Sequence, residues 1–549
     1  MKKRYYILGV MTLGCWAATI QAQTQPQDTT VNRTVVVEQE YNPVVRDAAK
    51  VNVLPRVEPL TVSKKEVEYD ASLQPSQQIP ASPMQAFTGK EEQAKATPGY
   101  LRAGYGNLGN LDVRAHYLFN LSDRDKLNIA FDMDGRDGKI QSVEENQKWD
   151  SRYYRTQAHI GYMHQFQNGD LNIGGNFGLS NFNFAPIHVL KKQKFTSGDF
   201  KIGYQCTNNE QPLQIAASTQ VMLYERQHDL MSLTPLKETR IHTQLCGTGR
   251  INDNHRVQLA VALNNVLYNE VTQPEEVTSL VELQNYTALD FNPAYLIDYN
   301  NWQIRLGAHI DLAFGFGKEF RIAPDVKAQY SFGNHRLYAQ ATGGKQLNDF
   351  RRLEQLSPYG LLNNVQLDAT YEQLNAGIGF KTSPINGLWL HLFGGYQCLK
   401  NDLYYTEHSF AQTETKNLYG GLEIDYDYRN FFGIGASGVY RNWDSDGEEF
   451  TLYLKPKFEA DVHAMLRPIA PLQISIGYQY AKREGAQLVS DQIIAPNDVS
   501  NLYAQVSYNL LDNLSIYGRF NNLLSSDYEI FYMHNAQGAS ALAGISFRF

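Results

Sequence analysis

The chain ends in Ala541-Leu542-Ala543-Gly544-Ile545-Ser546-Phe547-Arg548-Phe549. Successive side chains of an extended chain point to opposite faces, so Ala541, Ala543, Ile545, Phe547 and Phe549 share one side and Leu542, Gly544, Ser546 and Arg548 the other. One face is apolar and the other mixed or polar. Taken alone, such a strand fits the wall of a membrane barrel and the edge of a soluble sandwich equally well.

The same alternation recurs upstream from residue 98. Leu111, Val113, Ala115, Tyr117, Phe119 and Leu121 oppose Asp112, Arg114, His116 and Asn120. Trp302, Ile304, Leu306, Ala308, Ile310 and Leu312 oppose Gln303, Arg305, His309 and Asp311. Leu472, Ile474, Ile476, Tyr478 and Tyr480 oppose Gln473, Ser475 and Gln479. A helix cannot sustain a two-residue period, so these runs are strands. Counting every such run predicts ~22 of them.

The connections between runs alternate in length. Short ones are rich in turn formers, such as Ser122-Asp123-Arg124-Asp125, Gln167-Asn168-Gly169 and Leu511-Asp512-Asn513. Longer ones are expected over residues 135–151, 183–194, 225–237, 269–281, 346–370, 401–412, 484–499 and 523–538. Short turns at one end and long loops at the other are the plan of an antiparallel, up-and-down transmembrane barrel, with both chain ends on the periplasmic side.

Composition agrees. The 549 residues include 35 Tyr, 26 Phe and 41 Gly, with only 19% charged, a β-rich and aromatic-rich mixture without a domain break after residue 98. A net charge of −8 gives no basic footprint, which argues against nucleic acid as a partner. Mean hydropathy is −0.43, and the chain beyond its leader has no run of roughly 18 apolar residues, so spanning helices are excluded. A barrel is not, because its strands conceal their hydrophobicity by alternating. The polar faces decide between barrels: they carry Arg, Lys, Asp and Glu on strand after strand. A small soluble barrel would bury those charges dry, whereas a wide membrane barrel can wet them. Rings such as Tyr204, Phe332, Tyr396, Tyr428 and Tyr478 fall near strand ends, where interfacial girdles lie.

Residues 1–22 read as a signal peptide. Lys2, Lys3 and Arg4 precede an apolar run, and Gln21-Ala22-Gln23 offers a cleavage point. The exported chain then keeps Cys206, Cys246 and Cys398, a poor disulfide framework whose spacing fits no zinc site. Residues 23–97 form a Pro-rich tail punctuated by Pro26, Pro43, Pro55, Pro59, Pro75, Pro80 and Pro83, whose composition suits an extended segment in the periplasm. Within it, Thr34-Val35-Val36-Val37 is a β-branched tetrapeptide suited to pairing as an added strand, and Tyr41-Asn42-Pro43 comes shortly after it.

Catalytic and metal signals are weak. His116, His159, His309 and His391 fall on polar faces, as lumen-lining histidines would, and no hydrolase set can be assembled from spacing. Two acidic stretches, Asp132-Met133-Asp134-Gly135-Arg136-Asp137-Gly138 and Asp444-Ser445-Asp446-Gly447-Glu448-Glu449, are expected as turns but miss the EF-hand calcium spacing. No enzyme activity, no metal site and no cofactor are therefore expected.

Together these features resemble a TonB-dependent receptor barrel. The residues that carry the resemblance are Thr34, Val35, Val36 and Val37, which match the family's energy-coupling box, and a closing region of Phe520-Asn521-Asn522-Leu523-Leu524, Tyr528 and Gly544-Ile545-Ser546-Phe547-Arg548-Phe549. The resemblance implies a Gram-negative outer-membrane location and a TonB partner for the box. It also implies that Phe547 and Phe549 serve as the insertion signal read by the barrel insertion machinery. One departure stands out. The family fills its lumen with an amino-terminal plug, and residues 23–97 are too short and too proline-rich to form one. A wide lumen must then be closed otherwise, by the tail, by outer loops folding inward or by a separate capping protein; residues 346–370, with Arg351, Arg352 and Leu353, are the candidate inward loop, although their sequence favours an ordinary exposed loop.

Two functions fit these features. The first is uptake of a bulky solute across the outer membrane, coupled to TonB. The alternative is a non-conducting scaffold or assembly component whose tail, around Tyr41, Asn42 and Pro43, docks a periplasmic protein or lipoprotein.

Overall fold

In the computed structural model, residues 97–549 are described apart from 142–147, 185–191, 209, 229–234, 270–282, 361–365, 406–408, 447–451, 486, 490–491 and 532–533. The expected signal peptide, the tail, Thr34 to Val37 and Tyr41, Asn42 and Pro43 lie outside the described residues. Among those described, 22 strands join in one antiparallel sheet. The first strand, Gly99–Gly106, pairs with the last, Ser540–Arg548, placing Arg102 opposite Ser546, so the sheet closes on itself and keeps no free edge.

The two faces are inverted relative to a soluble protein. Ile129, Ile160, Leu306, Ile378, Leu418 and Ile545 point outward and are 41–66% exposed, while Arg102, Asp112, His309 and Asn417 point inward and are buried. An exterior this apolar matches hydrocarbon, and the alternation seen in the sequence is what writes it. No helix among the described residues is long and apolar enough to cross a membrane; the strands cross instead. Exposed rings collect at the short-turn end, where Trp302, Tyr330 and Phe332 stack in sequence at centroid distances of 4.7 and 5.6 Å.

The seam is fixed from both sides. Inside, Asp112 on the second strand, Leu111–Asn120, takes ion pairs from Arg102 at 2.6 Å and Arg519 at 2.7 Å, two residues that flank the final strand. Outside, the main chains of Gly99 and Phe549 exchange hydrogen bonds of 2.8 and 3.0 Å. The Phe549 ring lies over Gly99, where a Cβ would meet it at 2.5 Å, and stacks on Phe547 at 5.6 Å. The expected insertion-signal residues thus stand together at the lipid-facing rim.

Several outer hairpins differ from expectation. The third strand, Asp125–Gln141, and the fourth, Lys148–Gln165, run 17 and 18 residues, through the stretch expected as a long loop. Asp132, Asp134 and Asp137 therefore sit on a paired strand rather than in a turn. Their carboxylates already face basic side chains: Asp132 meets His116 at 3.0 Å, Asp134 meets Arg155 at 3.1 Å and Asp137 meets Arg152 at 3.1 Å. Crossing the bilayer needs only about ten residues. Beyond it both faces are wet, backbone pairing continues without alternation, and the sequence signal for a strand disappears.

Candidate functional site

The thirteenth strand, His335–Gln346, and the fourteenth, Thr370–Thr382, are joined at the end opposite the chain termini. Their connection enters the barrel mouth, whereas the sequence favoured an ordinary exposed loop over the inward course. It opens with a short helix, α1, Phe350–Leu356. Asp349 caps it by accepting a 2.9 Å hydrogen bond from the Arg352 backbone, and Pro358 prevents its continuation. Phe350, Leu353 and Leu356 recur every three residues and form one apolar face, which leaves Arg351, Arg352 and Glu354 to the others.

The apolar face completes a core roofing the lumen. Phe350, Leu353 and Tyr359 pack with Phe182, Phe184, Phe195, Tyr224, Leu236, Phe410 and Phe531, drawn from strand ends and connections around the mouth. Leu353 is 1% exposed. Tyr359 stacks on His534 with centroids 3.5 Å apart and planes 11° from parallel.

The polar faces clamp the connection to the far wall. Arg351 meets Asp199 on the sixth strand, Lys192–Cys206, at 3.0 Å and donates to the Gly198 carbonyl at 3.0 Å. Glu354 accepts from Tyr224 at 2.6 Å on the seventh strand, Leu213–Arg226, and from Ser180 at 2.7 Å on the fifth, Gly169–Asn183. Asp349 pairs with Arg240 at 2.5 Å, and the Phe350 amide donates to Glu238 at 3.1 Å, both on the eighth strand, Leu236–Arg250. Arg226 donates to the Gly360 carbonyl at 2.8 Å, and Arg136 of the third strand reaches the Tyr359 hydroxyl at 3.4 Å. In a ring of 22, the third and thirteenth strands are nearly diametric. Residues 347–360 thus cross the whole lumen.

The return arm is fixed to the near wall. Asp368 pairs with Arg321 at 2.8 Å, accepts from Asn401 at 3.0 Å, and its main chain is held by Asn348 and Gln412 at 2.5 and 2.7 Å. Burial pushes the Arg352 guanidinium down to about 10, against the pull of Asp402 and Asp349. It is still charged at neutral pH and donates to Asn348 at 2.7 Å.

Four apolar side chains of the connection, Leu347, Phe350, Leu353 and Tyr359, are buried. At about 1.5–3 kcal/mol each, their burial favours the inward position and offsets the conformational entropy lost in ordering the segment.

The inward-facing charges expected along the wall do line the lumen, mostly as pairs. Arg305 is held by Asp325, Gln258 and Asn292, each at 2.6 Å. His309 meets Asp290 at 3.0 Å, His391 meets Glu423 at 2.9 Å and His159 meets Asn176 at 2.7 Å. The sequence pointed to Arg351, Arg352 and Leu353, but not to Asp199, Glu354, Tyr359 or Asp368. Only the Asp349 cap and Pro358 were readable signals. Pairings across the lumen leave no trace in spacing. Cys206, Cys246 and Cys398 form no disulfide.

No family model and no curated protein matches the chain. Solved structures do. The ferripyoverdine receptor FpvA of Pseudomonas aeruginosa, bound to heterologous pyoverdines, is 11% identical, with a TM-score of 0.62 over 82% of this chain and 71% of that one. The copper transporter OprC is 12% identical, with a TM-score of 0.63 over 84% and 82%. The FrpB iron transporter of Neisseria meningitidis is 10% identical, with a TM-score of 0.65 over 83% and 81%. These proteins are receptors and transporters rather than enzymes. The likeness lies in the barrel, and the fold is the closed 22-stranded barrel that the sequence resemblance implied.

Proposed function

We propose that this protein is a TonB-dependent-receptor-like transporter of the outer membrane, closed at rest by the connection that residues 347–360 carry across the mouth, and opened for a bulky solute by its displacement. The observation that carries the reading is the clamp of α1 across the full lumen. A connection held this firmly argues against a passive pore: moving it demands either a ligand that favours the displaced state or mechanical work. Thr34, Val35, Val36 and Val37 supply a handle through which TonB would deliver such work by strand addition. Solute uptake by the structurally similar FpvA, OprC and FrpB supports the transport class, while the cargo of this chain is set by its own loops and lumen wall.

The roof core also favours a second reading, a barrel that never opens and serves as a scaffold for a periplasmic protein or lipoprotein. One experiment separates the two. The full chain and a variant with residues 348–368 replaced by a short Gly-Ser linker are reconstituted in planar bilayers. Transport predicts a silent native protein and large, steady conductance in the variant. Silence from both, with each barrel shown to be folded by heat-dependent gel mobility, overturns transport in favour of the scaffold.

A further inference from the structure

One carboxylate in the lumen wall is out of keeping with its paired neighbours. Asp311, on the eleventh strand, Trp302–Phe314, is 2% exposed, yet neither of its oxygens receives a hydrogen bond among the described residues. Its register partner on one side is Asp290, a like charge, and on the other Arg321 of the twelfth strand, Phe320–Phe332. Directly opposed side chains in an antiparallel pair have Cβ atoms about 5 Å apart, so Arg321 stands within reach. Arg321 nevertheless turns away, donating to Asp368 at 2.8 Å and to the Ala369 carbonyl at 3.2 Å. His309 is likewise occupied, by Asp290. The charges facing Asp311 are Asp290, Lys345, His309 and Arg321, and none bonds to it.

The ladder is irregular close to the mouth: the fourteenth strand carries a bulge at Gln373 and Leu374 that shifts its register against both neighbours, and opposite it on the thirteenth strand Gly344 stands at φ +139°. Bulges of this kind bend a strand and re-aim the residues next to them. The root of the return arm therefore carries one bend on which the connection can turn.

From this arrangement we propose that Arg321 is a two-position latch: it pairs with Asp368 when the connection fills the mouth and with Asp311 when the connection is displaced. Closure holds Asp311 buried without a donor beside Asp290, a strained arrangement that release relieves, since a buried unpaired carboxylate is costly and an Arg–carboxylate pair is strong. Asp311 thus offsets part of what breaking the Arg321–Asp368 pair costs and lowers the work of opening. The latch rests on the proposal that the connection is a gate.

The test follows movement directly, without relying on conduction. Leu353→Cys, in a Cys398→Ala background, is exposed to a bulky maleimide in outer-membrane vesicles, and barrel folding is confirmed by heat-dependent mobility. Asp368→Asn, which frees Arg321, should speed labelling at least tenfold. Asp311→Asn, which removes the second acceptor and the buried charge, should slow it at least threefold. In an Arg321→Gln background, Asp311→Asn should change the rate by less than twofold. If Asp311→Asn barrels do not fold, Asp311→Ser replaces them with the same expectation. Faster or unchanged labelling in Asp311→Asn overturns the latch while leaving the gate standing. Failure of Leu353→Cys to label in every background, including Asp368→Asn with Arg351→Ala, overturns the gate and the latch together.

Discussion

The double substitution Arg351→Ala with Leu353→Ala should turn a sealed barrel into a leaky one. Leu353 is buried in the roof core, and truncating a buried leucine to alanine typically costs 2–5 kcal/mol. Arg351 supplies a charge-assisted bond to Asp199 and one to the Gly198 carbonyl, and such bonds contribute about 1.5–3 kcal/mol each. Asp199 is not orphaned by the change, since Asn176 and Gln220 still donate to its other oxygen at 2.7 and 3.0 Å. The loss therefore falls on the seal rather than on the wall. Because the two residues are neighbours on one short helix, their effects will not add fully, and about 5 kcal/mol is a fair total. That raises the open fraction by between 10³ and 10⁴. Efflux of a small trapped dye from liposomes, timed at equal protein loading, reads this directly. Native protein should leak no faster than empty liposomes, and the double variant should empty its vesicles within the experiment. A correctly folded double variant as tight as the native barrel would show that residues 347–360 are not what closes the lumen.

Replacing Val36 by Pro should abolish energised uptake while leaving barrel assembly intact, because proline cannot donate to an added strand; growth on a single defined nutrient measures it, and unaltered growth argues against coupling through this box. Gly99→Ala should slow closure of the barrel, since its Cβ would meet the Phe549 ring at 2.5 Å, and a lower temperature of heat-modified migration would register the strain. Arg305→Met should leave Asp325, which has a buried side chain, without its ion pair, costing about 3–5 kcal/mol and lowering the urea midpoint of unfolding, whereas the pair Arg305→Met with Asp325→Leu should recover most of it.

Much of this architecture could be read from alternation alone. The terminal strand through Phe549, the charged inner faces and the alternating turn lengths imply a closed cylinder, because side-chain direction in a strand is fixed by parity. The inward connection was legible only in part: a lumen this wide needs closing, which made residues 346–370 a candidate, but nothing in their sequence ranked an inward course above an ordinary exposed loop. Two things were not legible. Gly135 to Gly138 looked like a turn because the wall continues past the membrane, where nothing enforces alternation. The partners of the connection, Asp199, Tyr224, Glu238 and Arg240, lie more than a hundred residues away, and a single sequence carries no record of distance across a lumen.

The height of the wall has one more consequence. The sixteenth strand, Phe410–Tyr428, has 19 residues, roughly nine more than the bilayer needs, so about 20 Å of palisade stands clear of the hydrocarbon once tilt is allowed for. The contacts of α1 with Ser180, Tyr224, Glu238 and Arg240 are made inside that collar, and Arg351 alone reaches deeper, to Asp199. Changing lipid chain length should leave the lock untouched, whereas raising ionic strength reaches its outer charges and should loosen it first.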